Sequence, residues 1–391
     1  MGGNNCILLF IFVNFSILFL PIPAPLALLP AKTGYNETEA RQLLNLAAGA
    51  YGITPQGCIN ETFGDSAHLY TVYTSNNLVC DFHKDSCASY TLVNDDEKRI
   101  YVIFRGTKSK KQLILEGWTT LFPKRDFYGI GMANKYFLNA LEILWPHVQP
   151  VFADPRYQNY DVTFTGHSLG GALAALGALK AAIDEHRNGT NIHLYTFGEP
   201  RIGNSELAKS FDEYIPNSYR IVHSDDIVPH LPACKKNHHD LRIKHDGDDS
   251  KPCDPWDTEE SYHHGIEIWY PYGMGPNSTY FECLGEPKNE DFDCSDSLSF
   301  ELTKYNQYIF SHRHYFEHKV PPFGKLGCKE NKQPLEEIMS NDAAEAPAKK
   351  ESIPVLESEI PSNSAPAIAD SGFNIKKAWN KIKEKLSNLG N

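Results

Sequence analysis

One serine in the chain sits where it could attack a carbonyl. In Asp161-Val-Thr-Phe-Thr-Gly-His-Ser-Leu-Gly-Gly171, Gly166, Ser168 and Gly170 form a G-x-S-x-G pentapeptide. An apolar strand pattern, Asp161–Thr165, leads into it, and an Ala-rich helical pattern, Ala172–His186, leads out. A strand that turns sharply into a helix lifts the serine hydroxyl clear of the sheet, and the turn leaves no room for side chains two residues to either side. The helix amino terminus favours a developing negative charge there, and the N–H of the next residue, Leu169, is placed to donate to it. A hydroxyl is a poor nucleophile near neutral pH. It needs a base, and the base needs a group that orients it.

In this setting the chain order is serine, acid, histidine. Asp225 and Asp226 end an apolar strand pattern, Tyr219–His223, and His263 and His264 stand just before another, Ile266–Tyr270. Spacing alone leaves each pair open.

The elements that must hold these groups alternate between strand and helix. Asn36–Ala50 reads as an opening helix with Leu43, Leu44, Ala47 and Ala48 on one face. Strand patterns follow at Tyr70–Ser75, Ser89–Val93 and Arg99–Phe104, a helical one at Gly131–Leu144, and a further strand at Ile192–Phe197. Apolar strands alternating with helices predict an α/β domain over residues 33–328, with a mostly parallel central sheet and helices on both faces.

The 391 residues are 41% hydrophobic and carry a net charge of −12, ample for a core and unsuited to neutralising phosphates. No nucleic-acid partner is expected. Residues 1–27 read as a signal peptide, because Cys6–Leu20 is apolar but too short for a bilayer span and a Pro/Ala-rich stretch follows. Export also suits the eight cysteines left after Cys6, namely Cys58, Cys80, Cys87, Cys234, Cys253, Cys283, Cys294 and Cys328, read as disulfides. It suits acceptor sequons at Asn36, Asn60, Asn188 and Asn277 as well. The expected location is therefore extracellular.

Three motifs in order, Gly-His-Ser-Leu-Gly-Gly, Ser-Asp-Asp-Ile-Val-Pro-His-Leu-Pro and His-His-Gly-Ile-Glu-Ile-Trp, resemble the fungal-type class 3 lipases, nearest their secreted nematode-like members. The resemblance spans most of residues 36–320. It implies a disulfide-linked α/β-hydrolase fold and hydrolysis of lipid carboxylic esters, triacylglycerol foremost, with phospholipase A1 or soluble-ester (feruloyl-type) activity, or a lipid-binding or host-interaction role on a hydrolase scaffold, as alternatives. Carried over by motif, Ser168 is the nucleophile, Asp226 the acid, His263 the base and His230 a structural neighbour. Phe104-Arg-Gly-Thr107 then makes Thr107 the second oxyanion donor beside Leu169.

The resemblance also makes Lys108–Phe122, with Leu113, Ile114, Leu115 and Trp118, a lid over the site. It implies disulfides Cys58–Cys328, Cys80–Cys87 and Cys283–Cys294, leaving Cys234–Cys253 to close an insertion after the acid loop. That insertion departs from the fungal pattern. It carries His238, His239, Asp240, His245 and Asp246, but neither metal nor cofactor is expected.

Beyond Cys328 the composition changes. Residues 329–372 are Pro-, Ala-, Ser- and Glu-rich and read as a disordered tether. In 373–391, Ile375, Trp379, Ile382, Leu386 and Leu389 alternate with lysines, a basic amphipathic pattern suited to docking on a membrane or a partner.

Overall fold

The computed structural model describes residues 33–80, 86–106, 123–242 and 251–329. The expected leader, Thr107, Lys108–Phe122, His245, Asp246 and everything from 330 onward lie outside them.

Eight strands form one sheet in sequence order: β1 (Tyr70–Val79), β2 (Ser86–Asn94), β3 (Arg99–Arg105), β4 (Asp161–His167), β5 (Ile192–Phe197), β6 (Asn217–His223), β7 (Ile266–Tyr270) and β8 (Phe281–Cys283). Strands β3 to β7 are parallel. β1, β2 and β8 pair antiparallel at the flanks, so the sheet is mixed around a parallel centre.

Residues alternate between two cores, as strand periodicity requires. Ile100, Val102, Phe104, Val162 and Phe164 pack with helices α3 (Lys135–Val148), α4 (Leu169–Ile183) and α5 (Ser205–Tyr214). Tyr101, Ile103, Tyr195 and Ile221 face α1 (Glu37–Gly49). Asn36 caps α1, its side chain accepting from the Glu39 N–H, and Leu43, Leu44 and Ala47 are its buried face. α4 is apolar all round and buried along almost its whole length, as a helix against the sheet centre must be.

The helix expected from Gly131 starts only at Lys135. Asn134 caps it by accepting from the Tyr136 and Phe137 N–H groups, and Met132–Asn134 instead pairs with Lys124–Asp126. A short helix the sequence patterns did not single out, α6 (Tyr305–Arg313), lies late in the chain.

The structure joins the four cysteine pairs Cys58–Cys328, Cys80–Cys87, Cys234–Cys253 and Cys283–Cys294, with Cα separations of 4.7, 5.7, 5.7 and 6.1 Å. The first joins α2 (Gln56–Phe63) to the last described residues and closes the domain end to end. Among the described residues no helix is long and apolar enough to cross a membrane.

Candidate active site

β3 and β4 run parallel in register from Arg99↔Asp161 to Arg105↔His167, so the connections after them leave the sheet at one edge. Ser168 begins the second connection at φ 60°, ψ −131°, directly before α4. Such a backbone conformation persists only where the surroundings enforce it. A Cβ on Gly166 would lie 2.2 Å from the Gly170 carbonyl oxygen, and one on Gly170 would lie 2.3 Å from that of Phe104. The Ser168 N–H donates to Phe197 O at 2.8 Å, which fastens the turn to β5.

The side chain that meets Ser168 is His312, near the end of α6. Its Nε2 lies 2.8 Å from Ser168 Oγ, and its Nδ1 lies 3.1 and 3.0 Å from the two Asp226 carboxylate oxygens. A carboxylate can only accept, so Nδ1 carries the hydrogen and Nε2 offers its lone pair to the serine hydroxyl. Asp226 is buried and accepts two further hydrogen bonds, from the Val228 N–H at 2.9 Å and the Tyr315 hydroxyl at 2.7 Å. Burial and the Asp226 charge hold the Tyr315 phenol well above its ordinary value, so it remains a donor. Gly198, at φ +60°, completes the cradle, for a Cβ there would stand 2.7 Å from Asp226 Oδ2 and 2.9 Å from His312 Nδ1.

Geometry separates the two neighbouring aspartates. Asp226 orients His312. Asp225 instead accepts from Ser311 Oγ at 2.6 Å and from Gln307 Nε2, tying α6 to the same loop.

The residue before Ser168 also braces His312. His167 Nε2 lies 2.9 Å from the His312 backbone oxygen, and its Nδ1 lies 3.1 Å from the Tyr51 hydroxyl. The carbonyl must accept, so Nε2 carries the hydrogen and Nδ1 accepts from Tyr51. Burial, with the neighbouring His312 ring adding to it, lowers His167 to about 3, so the ring is neutral.

His263 requires a correction: the structure does not bring it to Ser168. Its Nε2 bonds the Pro229 carbonyl at 2.6 Å, its backbone N–H donates to Glu290, and burial lowers it well below the ordinary histidine value. His264 is buried beside it, with Nε2 2.9 Å from Glu199. The physical reason lies in strand polarity. Ser168 and Asp226 follow the carboxyl ends of β4 and β6, whereas His263 and His264 precede β7, whose start pairs with the start of β6 (Tyr219↔Ile266). Active groups of a parallel sheet gather beyond its carboxyl ends. That rule could have directed attention to Ser311-His-Arg-His-Tyr315, the one histidine-bearing stretch between β8 and Cys328 apart from His318. No periodic pattern marks that stretch.

Two other expected groups are placed as follows. The Leu169 N–H opens α4, among the helix donors that have no intrahelical acceptor. Gly106 packs against it closely enough that a Cβ would sit 2.3 Å from Leu169 Cβ. Thr107, the next residue, lies outside the described set. His230 sits in the acid loop with its ring against Phe300, and burial, with Arg201 nearby, lowers it well below its ordinary value.

The insertion is fastened by buried ions. Arg201 makes a two-pronged pair with Glu290 at 2.7 and 2.8 Å and bonds the His230 and Pro232 carbonyls, while Lys236 pairs with Asp296 at 2.9 Å. Among the described residues the groups spaced for a metal are Cys234, Cys253 and Asp296, and Glu267, Cys283 and Cys294. Their cysteines are joined in disulfides and offer no thiolate.

All four sequon asparagines, Asn36, Asn60, Asn188 and Asn277, are exposed.

Relatives share this architecture. The family profile described as Lipase (class 3) matches residues 101–236. A lipase of Caenorhabditis elegans is 48% identical over 301 residues, covering 76% of this chain and 84% of that protein. A secreted mono- and diacylglycerol lipase of Fusarium solani is 30% identical over 155 residues, 38% of this chain and 44% of that one. Among solved structures, a fungal lipase–inhibitor complex superposes with a TM-score of 0.54 at 26% identity, covering 75% of this chain and 97% of that chain.

Proposed function

This chain belongs to the class 3 lipase family, whose members hydrolyse carboxylic esters of lipids, and on that premise we propose that it is a secreted acylglycerol hydrolase working through Ser168, His312 and Asp226. The observation that carries the assignment of residues is the unbroken chain from Ser168 Oγ through His312 to Asp226, at 2.8 and 3.0 Å.

In this reaction Ser168 Oγ attacks the ester carbonyl carbon while His312 Nε2 takes its proton. Asp226 stabilises the imidazolium, and the oxyanion accepts from the Leu169 N–H and that of Thr107. Collapse expels the alcohol, which receives the proton from His312 and leaves an acyl ester on Ser168. Water attacks that ester by the same route, releases the fatty acid and restores the serine. Tyr315 and the Val228 N–H hold Asp226 in place throughout.

Triacylglycerol is the preferred substrate in this reading, supported by the apolar Leu113, Ile114, Leu115 and Trp118 that follow the oxyanion strand in sequence; the Fusarium relative, named for mono- and diacylglycerol, supports only the acylglycerol class. Secretion is supported by the apolar leader at 1–27, four disulfides and four exposed sequons. The lysine-rich 373–391 segment, beyond its acidic tether, would serve as a separate docking element for anionic membranes or a partner.

The test is fatty-acid release from a triacylglycerol emulsion, a phospholipid dispersion and a short soluble ester, with Ser168→Ala alongside. Emulsion turnover that vanishes in the variant is expected. Turnover of phospholipid alone would replace triacylglycerol by a phospholipase reading, and wild-type rates in Ser168→Ala would overturn the assignment of the nucleophile. Deleting 373–391 should weaken binding to anionic vesicles and leave soluble-ester turnover intact.

A further inference from the structure

Trp256 is 86% exposed, the most exposed aromatic side chain among the described residues. A single exposed apolar residue is ordinary on a protein surface. This one is unusual because the backbone that presents it is pinned on both sides. Cys253 is held to Cys234, the Asp254 N–H donates to Lys235 O at 2.7 Å, and the Trp256 N–H donates to Asp254 Oδ1 at 3.0 Å. On the other side, Asp257 Oδ1 accepts from the Glu259 and Glu260 N–H groups, Ser205 Oγ donates to Asp257 O at 2.6 Å, and Asn204 Nδ2 donates to Thr258 O at 2.9 Å. A large indole on a rigid turn loses little freedom when it is buried against something else.

The place of the turn indicates what that something is. Asn204 and Ser205 open α5, which descends from the connection after β5. A few residues earlier in that connection, Gly198 lies against Asp226 and His312. Lys124, which follows the connection from the oxyanion strand, bonds the Glu259 carbonyl. The turn thus hangs from the start of α5, six residues after Gly198, and from Lys124. Its charge narrows the choice further. Asp254, Asp257, Glu259 and Glu260 surround Trp256 and would be repelled by an anionic surface.

We infer that Trp256 is an anchor for uncharged or zwitterionic lipid surfaces, inserting at the interface when the active edge faces the lipid. An indole suits that boundary, with an apolar body for the acyl region and an N–H for the wet side. The inference rests on the lipase reading above, and it assigns a surface role to an insertion that the fungal pattern lacks. It also divides the labour within the chain, with an acidic anchor on the insertion for neutral lipid and, in the reading proposed above, the lysine-rich residues 373–391 for anionic lipid.

The test uses full-length Ser168→Ala protein, so that adsorption is measured without turnover. Adsorption to a triolein emulsion stabilised with phosphatidylcholine is compared with that of the same protein carrying Trp256→Ala or Trp256→Phe. Trp256→Ala should raise the lipid concentration for half-adsorption about tenfold, with Trp256→Phe recovering most of the loss. Brominated phosphatidylcholine should quench the emission difference between the parent and Trp256→Phe, which isolates this indole from the other four tryptophans. In the active enzyme, Trp256→Ala should leave soluble-ester turnover unchanged. Unchanged adsorption of Trp256→Ala, an emission difference indifferent to brominated lipid, or an equal loss on soluble ester would each overturn the inference. None of these readouts depends on which ester is the preferred substrate, so a failed substrate assignment and a failed anchor are distinguishable.

Discussion

Among the described residues two serine–histidine–carboxylate sets lie within reach of hydrogen bonding, and their settings differ. At the carboxyl edge of the sheet, Ser168 Oγ meets His312 Nε2 at 2.8 Å, and His312 meets Asp226 at 3.0 Å. At the start of β6, Ser218 Oγ lies 3.4 Å from His264 Nδ1, and His264 Nε2 lies 2.9 Å from Glu199. The residue types and the order of contacts are nearly the same. The settings are not.

Ser168 stands on a strained turn at a helix amino terminus with the Leu169 N–H beside it, whereas Ser218 lies within β6, an extended strand. Ser218 is also walled in by Gly265, where a Cβ would come within 2.4 Å of its oxygen, and the His264 ring is stacked on Phe211 at 3.8 Å. Glu199 spends its second oxygen on Thr196 Oγ1 at 2.6 Å. The Ser218 set therefore satisfies buried polar groups, while Ser168 stands on a turn at a helix amino terminus. A list of side chains within reach of one another does not identify an active site. The backbone conformation of the serine and the helix amino terminus beside it do.

The largest expected effect that would break this comparison is at the serines themselves. Ser168→Ala should cut turnover of every ester by about 10⁴- to 10⁶-fold with the melting temperature little changed, whereas Ser218→Ala should leave turnover per folded molecule intact. Equal losses in the two variants would sink the distinction.

The histidines sharpen it, because their effects should cross. His312→Ala should lose about 10⁴-fold or more in kcat. His264→Ala, which leaves Glu199 buried without its partner, should cost about 3–5 kcal/mol of stability in a denaturation curve and little activity in the molecules that remain folded. His263→Ala should behave like His264→Ala in activity, and a His263→Ala enzyme dead on soluble ester would restore the role that the sequence motif suggested.

A smaller effect concerns the brace behind the base. Tyr51→Phe removes the donor to His167 and should lower kcat about five- to tenfold with KM unchanged, the worth of one buried hydrogen bond transmitted to the placement of His312. A proportional rise in KM instead would indicate a role in substrate binding.

The smallest effect is spread over pH. His167 is lowered to about 3, and His230 and His263 well below their ordinary value, all by burial first. The unfolded chain therefore binds more protons below about pH 6.5, and stability should fall as pH drops from there toward 3. Glu267 shifts the other way. Burial raises it to about 7, so the stability it contributes is complete below its unfolded value of 4.5 and is lost as pH rises through 7. Melting temperatures should show both slopes, with Glu267→Gln flattening only the alkaline one.

The nucleophile was legible because it is local. Gly166, Ser168, Gly170 and the Ala-rich helix announce a sharp turn whose steric demands are met within a few residues. The strands from β3 to β7 were legible for a similar reason, since parallel strands buried on both faces are mostly apolar. Spacing narrowed the acid to a pair and the family motif chose Asp226; the fold places the two accordingly, sending Asp225 to Ser311 and Asp226 to His312.

The histidine was not legible from its own surroundings. It sits at the end of a nine-residue helix of low apolar periodicity, 144 residues beyond the serine it serves, and His263-His264 carries the more conspicuous pattern. The sequence by itself determined the reaction chemistry, the alternation of strand and helix and the turn that carries Ser168, all of which depend on neighbours in the chain. The tertiary structure alone decided which imidazole completes the set. A base and an acid need only meet in space, and the direction of the parallel strands, which no single segment encodes, sends Asp226 and His312 to one edge and His263 and His264 away from it.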